Sequence, residues 1–405
     1  MARIPGTPGN DVLEGTPEND IIEGLAGNDR LYGRAGEDEL DGGSGADKMY
    51  GGLGNDKYFV DNASDVIVEY ASEGIDGVES TVSYTLSANV EDLFLKGTAA
   101  INGTGTNAHN AMLGNDANNS LYGLGDSDYL FGAGGDDLLY GGDGNDQVYG
   151  GLGNDQINGG AGADEMNGGS GNDRFLVDDA ADLVTENANE GLDTVITAKS
   201  YVLGDNIENL TLTDAALADG MGNSLNNYIL GNAARNFIQG EGGDDQINGR
   251  GGNDIVSGGD GNDMLSGDTG NDNLQGSKGN DVLKGNGDQD ALSGGGGDDL
   301  IYGGDGNDLL VGDGDLDVGG NNTLWGGKGA DSFRFYFAPD GIDIIKDFQK
   351  SELDTVQIHS SFGATSLDQF SYNSATGALS FGTIHFATLE NKPAGFSVQQ
   401  DVVLL

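Results

Sequence analysis

The sequence predicts an all-β fold, a solenoid of short strands stacked coil upon coil. Three observations predict it. An Asp returns every ninth residue over long stretches, as at Asp146, Asp155 and Asp164. An apolar residue follows two places later, as at Val148, Ile157 and Met166. The intervening turns are rich in glycine, with 75 Gly against 5 Pro in 405 residues, which fits neither collagen nor a Pro-rich linker. In a unit such as GGDGNDQVY (141–149) the first five positions need tight turns, which Gly makes cheaply, and the last three alternate polar, apolar, polar with the period of a strand. One apolar residue per unit makes no core alone. Stacked coils line these residues up into a thin continuous core.

The first run (6–59) puts Asp11, Asp20, Asp29, Asp38, Asp47 and Asp56 at the sixth position of each unit, and Leu13, Ile22, Leu31, Leu40, Met49 and Tyr58 at the eighth. The repeat pauses over 60–104, where VIVE, SYTL and DLFL read as strands that continue or cap the coils. A second run (105–176) carries Asp128, Asp137, Asp146, Asp155, Asp164 and Asp173. A second pause (177–221) copies the first at a constant shift of 117 residues, pairing Val60 with Val177, Asp76 with Asp193, Tyr84 with Tyr201 and Glu91 with Glu208. The shift is thirteen nonapeptides, so the phase survives each pause. A third run (222–331) carries Asp245, Asp254, Asp263, Asp272, Asp281, Asp290, Asp299 and Asp308.

After each pause the sixth position is Asn, at Asn110, Asn119, Asn227 and Asn236. A neutral amide predicts turns that stack through amide hydrogen bonds and hold no cation. DGDLDVGGNN (313–322) then breaks the nine-residue phase by five residues. Asp313, Asp315 and Asp317 have EF-hand-like spacing, but Val318 stands where that loop needs Gly and Leu324 where it needs Glu. It is not an EF-hand, though Asp317 stays a candidate ligand, as does Asp331 at the close of the run. From Ser332 the chain turns aromatic and aliphatic (FRFYF, IDIIKDF), which reads as a β-rich cap over 332–405 of the kind solenoid ends need.

Composition narrows the function. Lys plus Arg is 17 and Asp plus Glu is 68, a formal charge of −51. That charge excludes nucleic acid as a partner and opposes contact with an anionic membrane face. It holds the chain open by self-repulsion unless cations neutralise it, and the plain alternative is a disordered acidic polymer. Stacking brings sixth-position carboxylates of successive coils together, where they repel. A Ca²⁺ ion between them takes carboxylate and peptide oxygens, and folding then becomes metal binding. There is no Cys to staple the chain, no apolar run of about 18 residues for a membrane span, and no signal-peptide core in MARIPGTPGN.

The units match G-G-x-G-x-D-x-U-x, and over most of residues 6–331 the chain resembles the hemolysin-type, or repeats-in-toxin (RTX), calcium-binding family. The resemblance implies a parallel β-roll with two nonapeptides per coil. An Asp would then share an ion with its counterpart two units further along, as in Asp11/Asp29 and Asp146/Asp164. On the order of 15 ions would bind, offsetting about 30 of the 51 negative charges. The tail DVVLL, an acid before four apolar residues, is similar to that of RTX proteins exported by type I (ABC transporter) machinery, which implies an extracellular location. An ordinary closing strand is the other reading.

No catalytic signature appears. H-E-x-x-H, G-x-S-x-G and the P-loop motif are absent, and GGSGA (42–46) ends in Ala. The three His, His109, His359 and His385, read as surface or packing residues. The sequence therefore predicts no enzyme. It predicts a secreted, calcium-binding structural or binding protein that meets an exporter and then the cell surface or an extracellular polysaccharide. One alternative is a calcium-dependent carbohydrate-binding or adhesion module using Tyr32, Tyr50, Tyr122, Tyr140, Tyr149 and Tyr302. Another is a polysaccharide-modifying enzyme of epimerase or lyase type, with its site on an insert.

Overall fold

The structure is a computed structural model that describes residues 1–214, 216–314, 319–336 and 341–405. The candidate ligand Asp317 lies outside the described residues. The chain divides into two units, Met1–Val195 and Ile196–Leu405.

In Met1–Val195 the Asp-x-apolar segments form strands and the Gly segments form the turns between them. Successive nonapeptides feed two different sheets. Gln147–Leu152 pairs in parallel with Tyr129–Gly134 on one side and Glu165–Ser170 on the other. Gln156–Ala161 pairs likewise with Leu138–Asp143 and Arg174–Val177. The register is two nonapeptides per coil, with Val148 opposite Met166 and Ile157 opposite Phe175. Eighth-position side chains point between the sheets, and Leu130, Leu139, Val148, Met166 and Phe175 are wholly buried there. Each such burial stabilises the coil by roughly 1.5–3 kcal/mol. The turns demand glycine where φ is positive. Gly142 (φ 122°) and Gly144 (φ 149°) could carry a Cβ only by colliding with the Leu124 and Asp126 carbonyls of the coil beneath.

The first insert joins these same sheets. Gly77–Ser80 lies between Lys57–Val60 and Asp92–Leu95, and Tyr84–Thr85 pairs with Gly103–Thr104. Here the register first stretches and then shrinks relative to two nonapeptides, with Tyr58 opposite Val78 and Val78 opposite Leu93. The extra or missing residues are absorbed in the turns, and the core positions stay aligned.

In Ile196–Leu405 the same two-sheet coil recurs, with Leu265 opposite Leu283 and Leu274 opposite Leu292. Past Leu310 the register lengthens, with Leu310 opposite Phe333 and Phe333 opposite Val356. At the first of these pairs this is the five-residue break in the ruler, taken up without loss of pairing. The segment from Ser332 continues the ladder and then closes it. Phe335, Phe362 and Phe386 meet edge to face over the last coils, at centroid distances of 5.1 and 5.2 Å. A hairpin of Phe370–Asn373 and Ala378–Phe381 leads to Ile384–Leu389. The tail is the last strand, Val402–Leu404, parallel to Thr355–Ile358. Asp401 before it is buried and receives Lys350 Nζ at 3.1 Å. Among the described residues the sole α-helix is the single turn Val398–Asp401.

Candidate metal centres

The sixth-position Asp residues lie where the Gly turn meets the strand, and the fold buries them. Asp155 and Asp173 have no exposed surface at all. Along each run one hydrogen bond repeats. The backbone N–H of an Asp donates to Oδ1 of the Asp one coil on: Asp11 to Asp29, Asp20 to Asp38, Asp128 to Asp146, Asp137 to Asp155, Asp245 to Asp263 and Asp281 to Asp299, all at 2.7–2.9 Å. The pairs expected two units apart are thus brought together through this amide–carboxylate link.

The second carboxylate oxygen has no such donor. Oδ2 is buried and unpartnered in Asp29, Asp38, Asp47, Asp56, Asp128, Asp137, Asp146, Asp155, Asp164 and Asp173. The same holds in Asp245, Asp254, Asp263, Asp272, Asp281, Asp290, Asp299, Asp308 and Asp331. A buried acceptor left unmade costs about 1–3 kcal/mol, more when charged. Each Oδ2 points to the bare side of the glycine five residues earlier. A Cβ on Gly150 would collide with Asp155 Oδ2 and the Gly168 carbonyl, and one on Gly141 with Asp146 Oδ2 and the Gly159 carbonyl. The absent Cβ leaves a cradle lined by carboxylate and peptide oxygens. Hard oxygen donors of this kind suit Ca²⁺.

Without a cation most of these carboxyls resist ionising. Burial pushes the Asp128, Asp137, Asp245 and Asp254 carboxyls up to about 7, against the pull of the amide hydrogen bond from the preceding coil, and a neighbouring carboxylate adds to the rise. Burial likewise pushes Asp155, Asp164 and Asp173 up to about 6.

Asp11 and Asp20 stand apart. Their Oδ2 atoms accept from Thr7 and Thr16, backbone N–H at 2.6 Å and hydroxyl at 2.9 Å in each case. The Asn turns differ in another way. Asn119 Nδ2 donates to Ile101 O at 2.6 Å and Asn227 Nδ2 to Glu208 O at 3.2 Å, while the Oδ1 atoms facing the glycine cradle accept the Asn115 and Asn223 backbone N–H at 2.8 Å and are not left bare.

Further residues hold equivalent positions, Asp65 and Asp182 still nine residues after Asp56 and Asp173, the others off the nine-residue phase. Asp65 and Asp76 accept from the Asp47 and Asp56 amides at 3.0 and 2.8 Å, and Asp182 and Asp193 from Asp164 and Asp173 at 3.2 and 2.8 Å. Asn322, Asp343 and Asp354 do the same for Asp299, Asn322 and Asp331. Irregular spacings, as of Asp76 from Asp56 and Asp354 from Asp331, hide most of them. One signal was available: the thirteen-unit shift between the inserts pairs Asp65 with Asp182 and Asp76 with Asp193. A further acid closes each run by accepting from its last Gly-Gly amides: Glu69 at Gly51 and Gly52, Glu186 at Gly168 and Gly169, Asp347 at Gly326 and Gly327.

The histidines do not converge. His109 contacts the Ser127 carbonyl, His359 the Ser361 hydroxyl and His385 the Ala387 carbonyl. No helix among the described residues is long and apolar enough to cross a membrane.

Parallel coils of two nonapeptides with an inward carboxylate at most turns define a β-roll protein of the calcium-binding repeat class. The description "RTX calcium-binding nonapeptide repeat (4 copies)" matches residues 5–67, 104–175 and 221–334 in overlapping or adjoining stretches, more than half of the 405 residues. The chain belongs to the RTX calcium-binding nonapeptide repeat family. Among curated proteins none matches it.

Proposed function

We propose that this is a secreted protein that folds as its repeat carboxylates take up Ca²⁺, and that it serves outside the cell as a structural or binding element. The observation that carries the reading is the row of buried Oδ2 atoms without donors, each facing a glycine cradle. The ligands in this reading are the sixth-position Asp residues from Asp29 to Asp331, joined by Asp76 and Asp343, whose Oδ2 atoms are also buried without a donor. Asp11 and Asp20 contribute less, since Thr donors occupy them. The test is far-ultraviolet circular dichroism with light scattering during a calcium titration, with magnesium as control. A cooperative gain of β signal near about 1 mM calcium, with shrinking radius, is expected. A spectrum unchanged by calcium overturns the reading.

Export is the finer part of the proposal. Residues 332–405, ending in DVVLL, would address the chain to a type I exporter, and fusing them to a passenger tests this. No secretion in a competent host defeats it. A second reading, calcium-dependent carbohydrate binding, is favoured by two stacked aromatic pairs on the outer strand positions. Tyr32 lies on Tyr50 at 4.8 Å and Tyr302 on Trp325 at 4.3 Å. A glycan array with and without calcium separates the two readings.

A further inference from the structure

At the end of the first run the insert brings a third carboxylate to a buried turn. Asp56 and Asp76 are one coil apart and linked as elsewhere, the Asp56 amide donating to Asp76 Oδ1 at 2.8 Å. Glu69, from the insert, reaches in over Gly51. Its Oε1 takes every donor in range: the Gly51 amide at 3.0 Å, the Gly52 amide at 3.4 Å and the Tyr58 hydroxyl. Its Oε2 takes none. Asp56, Glu69 and Asp76 are 3, 5 and 1 % exposed, and Oδ2, Oε2 and Oδ2 are all buried without a partner. One ligand atom from each residue falls within 4.8 Å of the others, the sole such group among the described residues. Three carboxylates this close, each with one bare oxygen and all shut away from water, cannot all stay ionised without a cation between them.

The copied insert shows what fixes this arrangement. Under the thirteen-unit shift Tyr58 becomes Phe175 and Glu69 becomes Glu186. With no hydroxyl beside it, Glu186 divides its oxygens, Oε1 accepting from the Gly168 amide and Oε2 from the Gly169 amide at 3.3 Å. In the first copy the hydroxyl joins the donors on one oxygen and the other has none.

We propose that Glu69 joins Asp56 and Asp76 in a divalent-cation site that, unlike those within the runs, has three carboxylates, and that Tyr58 sets the third. Glu69 and Asp76 lie outside the residues matched to the repeat family. Three carboxylates on one ion make it tighter than sites that rely more on peptide carbonyls, by roughly tenfold or more, because affinity for Ca²⁺ follows ligand charge. The proposal rests on the calcium reading above only in taking the repeat sites as the standard of comparison.

The test uses the full chain folded in millimolar calcium, with about one equivalent of Tb³⁺ added as a probe that prefers the most anionic site. Emission is excited through tyrosine, and Tyr58 touches Glu69. Wild type is expected to give strong emission, reduced at least about fivefold in E69Q and in Y58F, while F175Y, which recreates the gathering hydroxyl in the copy, raises it at about two equivalents. E69Q keeps the oxygen that accepts from Gly51, so its β signal in calcium should match wild type. If E69Q does not fold, D76N, which keeps Oδ1 for the Asp56 amide, gives the same reading. Equal emission from wild type and a folded E69Q or D76N overturns the proposal and leaves Glu69 as a cap on the Gly51–Gly52 amides. A wild type that shows no calcium-induced β signal defeats the calcium reading itself, a separate result.

Discussion

Stripped of metal, the protein should be more stable in acid than at neutral pH, the reverse of ordinary acid denaturation. In the run from Asp245 to Asp308, burial pushes Asp245, Asp254 and Asp290 up to about 7, Asp263, Asp281 and Asp308 up to about 6, and Asp299 up to about 8. In the unfolded chain these groups return to near 3.8. The folded chain therefore binds more protons between about pH 4 and 7, so stability is full below that window and falls as pH rises through it. A rise from 3.8 to about 6 corresponds to about 3 kcal/mol, and about half of that remains after allowing for water around the turns. Over this one run the loss by about pH 7.5 is on the order of 10 kcal/mol, as much as the whole stability of an ordinary domain. The assay is circular dichroism and light scattering in metal-free buffer at about pH 5 and about pH 7.5, with about 0.5 M NaCl as control, because salt screens general repulsion but not the cost of burial. A β signal at the lower pH is expected to vanish at the higher one, to stay absent in salt and to return with millimolar calcium. A metal-free β signal equal at both pH values, or larger at the higher, refutes the reasoning.

Other perturbations give equally definite outcomes. D155N keeps the oxygen for the Asp137 amide and turns an NH₂ toward the Gly168 carbonyl, so calorimetry should count fewer ions on a folded chain, with about 1.4 kcal/mol less stability at calcium ten times the dissociation constant. G150A drives a Cβ into Asp155 Oδ2 and the Gly168 carbonyl, and denaturant melts in calcium should show a loss of about 1–3 kcal/mol, against less than about 0.5 for G9A, where the space is open. L265A empties a fully buried position between Ile247 and Leu283 and should cost about 2–5 kcal/mol in the same melts.

The nine-residue ruler made the coil legible, because one apolar side chain and one carboxylate per unit leave few other ways to bury the first and neutralise the second. Leu130, Val148 and Met166 stack in the ladder that their spacing implies. The ruler failed where the chain counts differently from the coil. Stacking fixes which strands meet, but turns take two or five extra residues without disturbing the core, so Asp76 sits one coil after Asp56, and Asp354 one coil after Asp331, at spacings that are not multiples of nine. Counting by nines passes over both. The closing acids Glu69, Glu186 and Asp347 were hidden for another reason. They act on glycine amides left open where a regular coil ends, and no local pattern announces that. Nor does the sequence separate Asp11 and Asp20 from their equivalents. Thr7 and Thr16 do so through short contacts that appear only once the turn is built.

Thirteen is an odd number. Successive nonapeptides of Met1–Val195 go to alternate sheets, so a segment repeated thirteen units later changes sides. Lys57–Val60 belongs to the sheet that starts with Ala2–Pro5, whereas its counterpart Arg174–Val177 belongs to the other, next to Gln156–Ala161. A duplication of even length would have stacked both copies on one flank. Here Lys57 and Phe59 look out one way and their equivalents Arg174 and Leu176 the other. The duplication thus sets two related but unlike faces on opposite flanks of one coil stack.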